Sequence, residues 1–475
     1  MTGTALTIIE PGIGGWRSAD IERDSDGDGL PTDLRFHDDA ALSPLDAVFA
    51  ARITAVDTTN DLAFADLGGG LSGCMNLRRA KALVKGAVTS ISDCVSEGQR
   101  LLVQVVAEPS TLDTKAYTIT PRPRLLGRYV VVEAGNRRLN FSKDLSPKVV
   151  KKLTAELTGA TDGVAVIVRS SAAGVATSVV VAEVRALAAV FAASPERTGP
   201  EKTGQIFARS PLEKALLSTP AASVNVQIEG GTAFAEAKAT AQKHWPDLVE
   251  KLSLYKGAQA AFEHYGVNEA IEEALGPRID LPSGGWISIT ETPALTGVDV
   301  NLGNAHKGRS ASDAKVLVNL EAALATLYHL RFQDIGGLVV VDFIDMTAKG
   351  ATRELMQLIE KTARTDRVPL QHTGISTFGM VEFARKRSGV SLKGRMQVTL
   401  PARMRASSVA LDLLRRGERI GQGPGGGNGA LIVSGPESVI GWLKAHPNYV
   451  NELSTRTKRT VELMLGANPD VFLRS

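Results

Sequence analysis

The arrangement that most narrows the fold is a strand–helix–strand unit in the second half of the chain. TGVDVN (296–301) reads as a strand, SDAKVLVNLEAALATLYHLRF (312–332) as a helix and GGLVVVDFIDM (336–346) as a second, buried strand. Leu317, Leu320, Leu324 and Leu327 fall on one helical face, and Ser310 stands three residues before Asp313 as a helix N-cap. A strand joined to a strand through a helix favours parallel pairing with shared C-terminal edges. Asp299 and Asp342 then emerge together where open α/β sheets place ligands, and Asn301, two residues on, shares the face of Asp299. A carboxylate that leaves water needs a cation or donors to compensate it. Two carboxylates and a carboxamide suit Mg²⁺, which takes few protein ligands, and such a metal can serve phosphodiester hydrolysis. On pattern alone, strand-end aspartates that merely cap loops fit equally well. Asp345, three residues past Asp342, reads as a supporting residue in the turn.

The rest of the chain is organised around this unit. Residues 1–43 are β-like with a turn-rich insert at 22–33, and DAVFAARITAVDTTNDLAFADLG, RLLVQVVAEP and KAYTIT alternate like the strands of a small barrel. RYVVVEA and GVAVIV are strands, VVVAEVRALAAVFAA is helical, and SVNVQI opens a further β and helical stretch. After about residue 395 a basic helical segment, the glycine-rich GQGPGGGNG (421–429) and a last αβ piece follow.

At 475 residues several domains are expected. A net charge of +3 permits a polyanionic partner without identifying one. Cys74 and Cys94 are the only cysteines, so there is no disulfide framework and no cysteine-rich zinc site. No basic-then-apolar leader and no membrane-length apolar run is legible, so the expected compartment is the cytoplasm. DSDGDG (24–29) spaces Asp24, Asp26 and Asp28 like the start of a calcium loop but lacks the glutamate at the twelfth position, and a polar hairpin tip is the better reading. GQGPGGGNG lacks the Gly-Lys-Ser/Thr of a phosphate loop and reads as a linker. His306 reads as a solvated loop residue.

LPSGGWISITETPALTGVDVN (281–301), NLEAA (319–323), GGLVVVDFIDM and FGMVEFARKR (378–387) resemble, in order, blocks of the ribonuclease E/G family. The resemblance covers most of the chain. It implies an α/β multidomain fold: an RNase H-like subdomain from 1–43 and 216–278, an inserted S1 (OB-fold) barrel at 44–120 and a 5′-sensor subdomain at 121–215. A DNase I-like catalytic subdomain at 279–394 follows, then a linker and small C-terminal αβ domain at 395–475. It implies a Mg²⁺-dependent endoribonuclease that cuts single-stranded RNA to 5′-phosphate and 3′-hydroxyl ends. Asp299 and Asp342 are the implied metal ligands, and Asn301 positions the attacking water.

The resemblance also puts Phe64 and Lys115 on RNA-contact positions of the barrel, with Cys74 where a second stacking aromatic stands in the family. GVAVIVRSS (163–171) resembles the 5′-sensor strand, placing Arg169 and Ser170 on a terminal phosphate with the backbone near Gly127 as a third donor. Ser376-Thr377-Phe378-Gly379 replaces a Ser-Arg-Phe-Gly found in some members, so the preference for a 5′-monophosphate is expected to be weaker or absent. The segment after ARKR has no cysteine, so no structural zinc link is expected and a homodimer is left open. The expected protein is a compact member without a scaffolding tail. The rival reading is a non-catalytic RNA-binding paralogue of the same fold.

Overall fold

Five β-sheets organise the described residues, and in one of the two six-stranded sheets the predicted crossover is present. In this computed structural model the described residues are 5–23, 29–108, 116–135, 137–159, 161, 163–192, 203–220, 223–308, 310–347, 350–387, 389–397, 406–422 and 429–474. Met1–Gln397 form one compact unit and Val398–Ser475 another.

In the first unit, strands Ala5–Gly12, Gly15–Arg23 and Gly29–Asp38 form a meander. Parallel strands Ser223–Ile228 and Leu252–Leu254 extend it, so the sheet draws on two distant segments. The turn-rich insert is shorter than its composition suggests: residues 29–33 already pair with the preceding strand. Asp24, Asp26 and Asp28 lie outside the described residues. A second sheet closes on itself through Val48–Asp57, Leu62–Gly68, Leu71–Asn76, Tyr117–Thr120 and Arg100–Ala107, a five-stranded barrel. Gly204–Phe207 returns to pair on its first strand. A four-stranded sheet contains Val130–Ala134 and Val164–Val168, covered by helix Thr177–Ala192.

The six-stranded sheet includes Trp286–Glu291, Thr296–Asn301, Gly337–Asp342 and Met380–Arg385 as neighbours. Its alternating Ile and Val side chains pack beneath helices Ala311–Phe332 and Ala351–Ala363. The paired glycines that open GGLVVVD are sterically required. A Cβ on Gly336 would lie 2.7 Å from the Cα of Arg387, and Gly337 has φ +102°. Ser310 caps the first helix by accepting from the Asp313 N–H at 3.1 Å. The expected leucine face needs correction. Leu324 is exposed, whereas Val318, Ala322, Ala323, Leu327 and Leu330 are buried. This helix is covered on two sides, by the sheet and by strand Gly29–Asp38, so small and polar side chains occupy its buried surface.

Ion pairs hold that second side. Arg35 and Arg367 both meet Asp20, and Arg367 and Arg331 both meet Asp33, at 2.6–3.0 Å. Burial pushes the Asp33 carboxyl up, but Arg367, Arg331 and Arg35 outweigh it and hold it below its ordinary value. Two buried histidines nearby stay neutral: burial, reinforced by Arg35, takes His37 from 6.5 to about 3, and burial with Lys393 takes His329 to about 4. Because the unfolded chain binds these protons and the folded chain refuses them, stability is present above pH 6.5 and is lost as pH falls toward 4. Each histidine costs about 1.4 kcal/mol per pH unit in that window. The thermal midpoint is expected to fall on acidification, with a shallower slope in His37→Gln/His329→Gln. An unchanged slope in that double variant would contradict the assignment.

The second unit is described by itself: a three-stranded sheet centred on Leu431–Gly435, packed with helices Ala406–Gln422, Glu437–Ala445 and Pro447–Thr457. Residues 423–428 of the glycine-rich stretch are outside the described set. Among the described residues no helix is long and apolar enough to cross a membrane.

Candidate active site

Thr296–Asn301 and Gly337–Asp342 are adjacent parallel strands, and Asp299 is the register partner of Asp342. Residues paired in this way project to the same face, about 4.8 Å apart along the sheet. The row continues to Ser288 on one side and Met380 on the other. No residue of this row is buried, and both aspartates are exposed, so the carboxylates stand on the open face of a sheet whose opposite face is its core. Asp342 is the last residue of its strand, while Asp299 lies two residues before its strand's end. Asn301 donates from Nδ2 to Asp299 Oδ2 at 2.6 Å, which leaves its Oδ1 as an acceptor beside the pair.

Asp345 is exposed in the loop after the strand, with Oδ1 3.6 Å from where a Gly379 Cβ would sit. Among the described residues no three His, Cys, Asp or Glu side chains converge on a metal-sized site, so Asp345 does not join the pair. Two carboxylates with a carboxamide are nonetheless the sparse oxygen set that Mg²⁺ accepts, with water completing its shell. His306 lies in the exposed turn after Asn301.

Two residues of NLEAA that motif spacing alone did not single out hold this region in place. Asn319, fully buried, donates to Ile344 O at 2.7 Å and accepts from Ile344 N at 3.0 Å, clamping the loop after Asp342. Glu321 accepts from the Ser283 N–H at 3.0 Å and steadies the loop before Trp286–Glu291. A side chain that satisfies one peptide from both ends is readable only once the helix and loop are known to touch.

Residues expected to sense a terminal phosphate lie together elsewhere in the unit. Arg169 Nη1 donates to Gly127 O at 2.7 Å, and Ser170 is exposed beside it. Burial lowers the Arg169 pKa, helped by Arg128 and opposed by Glu183. Gly127 presents its carbonyl rather than a free N–H, because its N–H donates to Val130 O at 2.8 Å. Glu183 organises the loop: it accepts from the N–H groups of Arg128, Tyr129 and Val130 at 2.8–3.1 Å and from Trp245 Nε1 at 2.9 Å. On the barrel, Ala63, Ala65 and Leu67 point into the core, while half-buried Phe64 faces outward, opposite Cys74. Lys115 lies outside the described residues.

A family model described as "Ribonuclease E/G family" matches residues 124–388. The chain belongs to the ribonuclease E/G family. The family match includes Gly127, Arg169, Ser170, Asp299, Asn301, Asp342 and Asp345, and leaves out Phe64 and Lys115. Ribonuclease G of Escherichia coli strain K12 is 30% identical over 313 residues, 64% of this chain and 63% of that protein. Ribonuclease E of Haemophilus influenzae is 30% identical over 359 residues, covering 73% of this chain and 38% of its own length. The alignments therefore span less than two thirds of these ribonuclease E/G relatives.

Proposed function

We propose that this protein is a Mg²⁺-dependent endoribonuclease that cuts single-stranded RNA, leaving 5′-phosphate and 3′-hydroxyl ends. The observation that carries the reading is the in-register pair Asp299–Asp342 with Asn301 hydrogen-bonded to it. Asp299 and Asp342 hold the cation. When bound, Mg²⁺ neutralises charge that gathers on the phosphoryl oxygens and makes water a better nucleophile. The Asn301 carboxamide oxygen accepts a hydrogen bond from the attacking water and orients it. The water gives up a proton to solvent as its oxygen bonds to phosphorus, the P–O3′ bond breaks, and the 3′ oxygen leaves with a proton from solvent.

Substrate recognition follows the same residues. Phe64, together with Lys115, contacts RNA on an S1-type barrel spanning 44–120. Phe378, 78% exposed and two residues before the partner of Asp342, offers an aromatic face to an unpaired base beside the acids. Arg169 keeps further N–H donors after its bond to Gly127 and, with Ser170, grips a 5′-phosphate in a sensor subdomain at 121–215. An RNase H-like subdomain (1–43 and 216–278), a DNase I-like subdomain (279–394) and a small C-terminal domain (395–475) complete the proposed organisation, in a cytoplasmic protein.

The test is a cleavage assay on a short, unstructured A/U-rich RNA with either a 5′-monophosphate or a 5′-hydroxyl, in Mg²⁺ and in EDTA, beside the all-deoxy oligomer. Internal cutting confined to RNA and abolished by EDTA is expected. Tight binding without cutting would replace this reading with the non-catalytic RNA-binding paralogue, and equal cutting of DNA would refute the substrate assignment.

A further inference from the structure

The strand that ends at Asp342 begins at Gly337, and its two ends face different sites. At the Asp342 end it pairs with Met380 beside the acidic pair, and at the Gly337 end it pairs with Arg385. Arg385 and Asp334 line a cleft of 540 Å³ bounded by strand Gly29–Asp38, barrel strand Arg100–Ala107, helix Pro211–Ser218 and the end of helix Ala311–Phe332. Asp299, Asn301, Asp342, Arg169 and Ser170 are not among its lining residues. Its volume lies in the range of small-molecule sites.

The wall is built for an anion. Eight cationic side chains line the cleft against five carboxylates. Five of those cations are spent in ion pairs: Arg35, Arg331, Arg367, Arg385 and Arg395. Arg124, Arg209 and Lys214 meet no carboxylate at ion-pair distance among the described residues. Arg209 donates only to Leu126 O at 2.9 Å, and Lys214 to Asp38 O at 2.8 Å, so each keeps donors to spare. Burial lowers the pKa of both, against the pull of Glu213, Glu183 and Asp46 on Arg209 and of Asp46, Asp38, Asp39 and Glu108 on Lys214.

Two atoms of lining residues are buried without a partner, Gln333 Oε1 and Arg331 Nε, but both are closed to solvent and out of reach of a molecule in the cleft. Phe36 and Phe207 belong to the apolar lining, each with a guanidinium over its ring, at 4.7 Å for Arg395 and 5.5 Å for Arg209.

We propose that this cleft binds a nucleoside monophosphate, with its phosphate on Arg124, Arg209 and Lys214 and its base against the Phe36 and Phe207 rings. The phosphate supplies the negative charge, and the aromatic rings supply an apolar surface for the base. The site is separate from the acidic pair and does not depend on the proposed cleavage activity.

Isothermal titration of the full chain in EDTA, with adenosine 5′-monophosphate, ribose 5-phosphate and inorganic phosphate, tests this directly. In the Arg169→Ala variant, which removes the proposed 5′-phosphate grip, saturable one-site binding of the nucleotide is expected, roughly tenfold tighter than ribose 5-phosphate. Adding Arg124→Ala, an exposed side chain, or Lys214→Ala to that variant is expected to weaken binding about tenfold or more. No saturable binding, or binding lost with Arg169 rather than Arg124, would overturn the site. Inorganic phosphate or ribose 5-phosphate binding as tightly as the nucleotide would overturn the assignment of the base.

Discussion

Asp342→Asn is expected to lower RNA cleavage on the order of 10³-fold while RNA affinity stays within a few-fold. The substitution preserves shape and removes one of the two charges proposed to hold the cation. Asp342 is exposed at a strand end and is not a side chain of the core. Its register partner is a second carboxylate, so the wild-type sheet carries like charges directly opposite one another, an arrangement that costs stability. The variant should therefore melt at the wild-type temperature or slightly above it. Single-turnover cleavage, filter binding and a thermal melt on the same preparation separate these effects. A fall in melting temperature together with lost cleavage would make Asp342 structural instead.

Glu183→Ala is expected to destabilise the first unit by about 3–5 kcal/mol. Its carboxylate is the acceptor for three consecutive backbone N–H groups, Arg128 to Val130, and for Trp245 Nε1. Removing it strands these donors inside the core that contains Tyr129 and Trp245. The same loop includes Gly127, where a Cβ would lie 2.6 Å from the Glu183 carboxyl carbon and whose carbonyl anchors Arg169. Any discrimination between 5′-monophosphate and 5′-hydroxyl RNA should disappear with it. Urea denaturation measures the first effect and paired cleavage rates the second. A loss below about 1 kcal/mol would mean that water replaces the carboxylate at these donors.

The parts of this molecule that could be read from sequence are those where one residue's role is local. Alternation in LAFADLG marked a barrel strand, because a strand turns every second side chain to the same face, while which face Phe64 takes was legible only in the structure. The crossover placed Asp299 beside Asp342, because parallel pairing fixes which strand ends meet. Ser310 read correctly as a cap, since its partner is three residues away. The helical face containing Leu324 did not, because a helix buried on two sides loses the single apolar stripe that marks a surface helix.

What stayed hidden are polar side chains whose partners are distant in the chain. Asn319 bonds a peptide 25 residues on, Glu183 reaches back 53 to 55 residues, and Arg331 crosses 298 residues to Asp33. Periodicity and composition carry no trace of such contacts, yet they hold the loops that carry the candidate site. The cleft at the start of Gly337–Asp342 is hidden for the same reason, since its cations are spread along the chain from Arg35 to Arg395.

The central claim is that water, held by Asn301 beside an Asp299–Asp342 cation site, attacks the phosphodiester. The chemistry of the product ends tests it most directly. After limited cleavage of an unstructured 5′-monophosphate RNA in Mg²⁺, the account predicts new fragments with 5′-phosphate and 3′-hydroxyl termini, read by ligation and by mass. Fragments ending in 2′,3′-cyclic phosphate with 5′-hydroxyl partners would mean that the ribose hydroxyl is the nucleophile, and would contradict it.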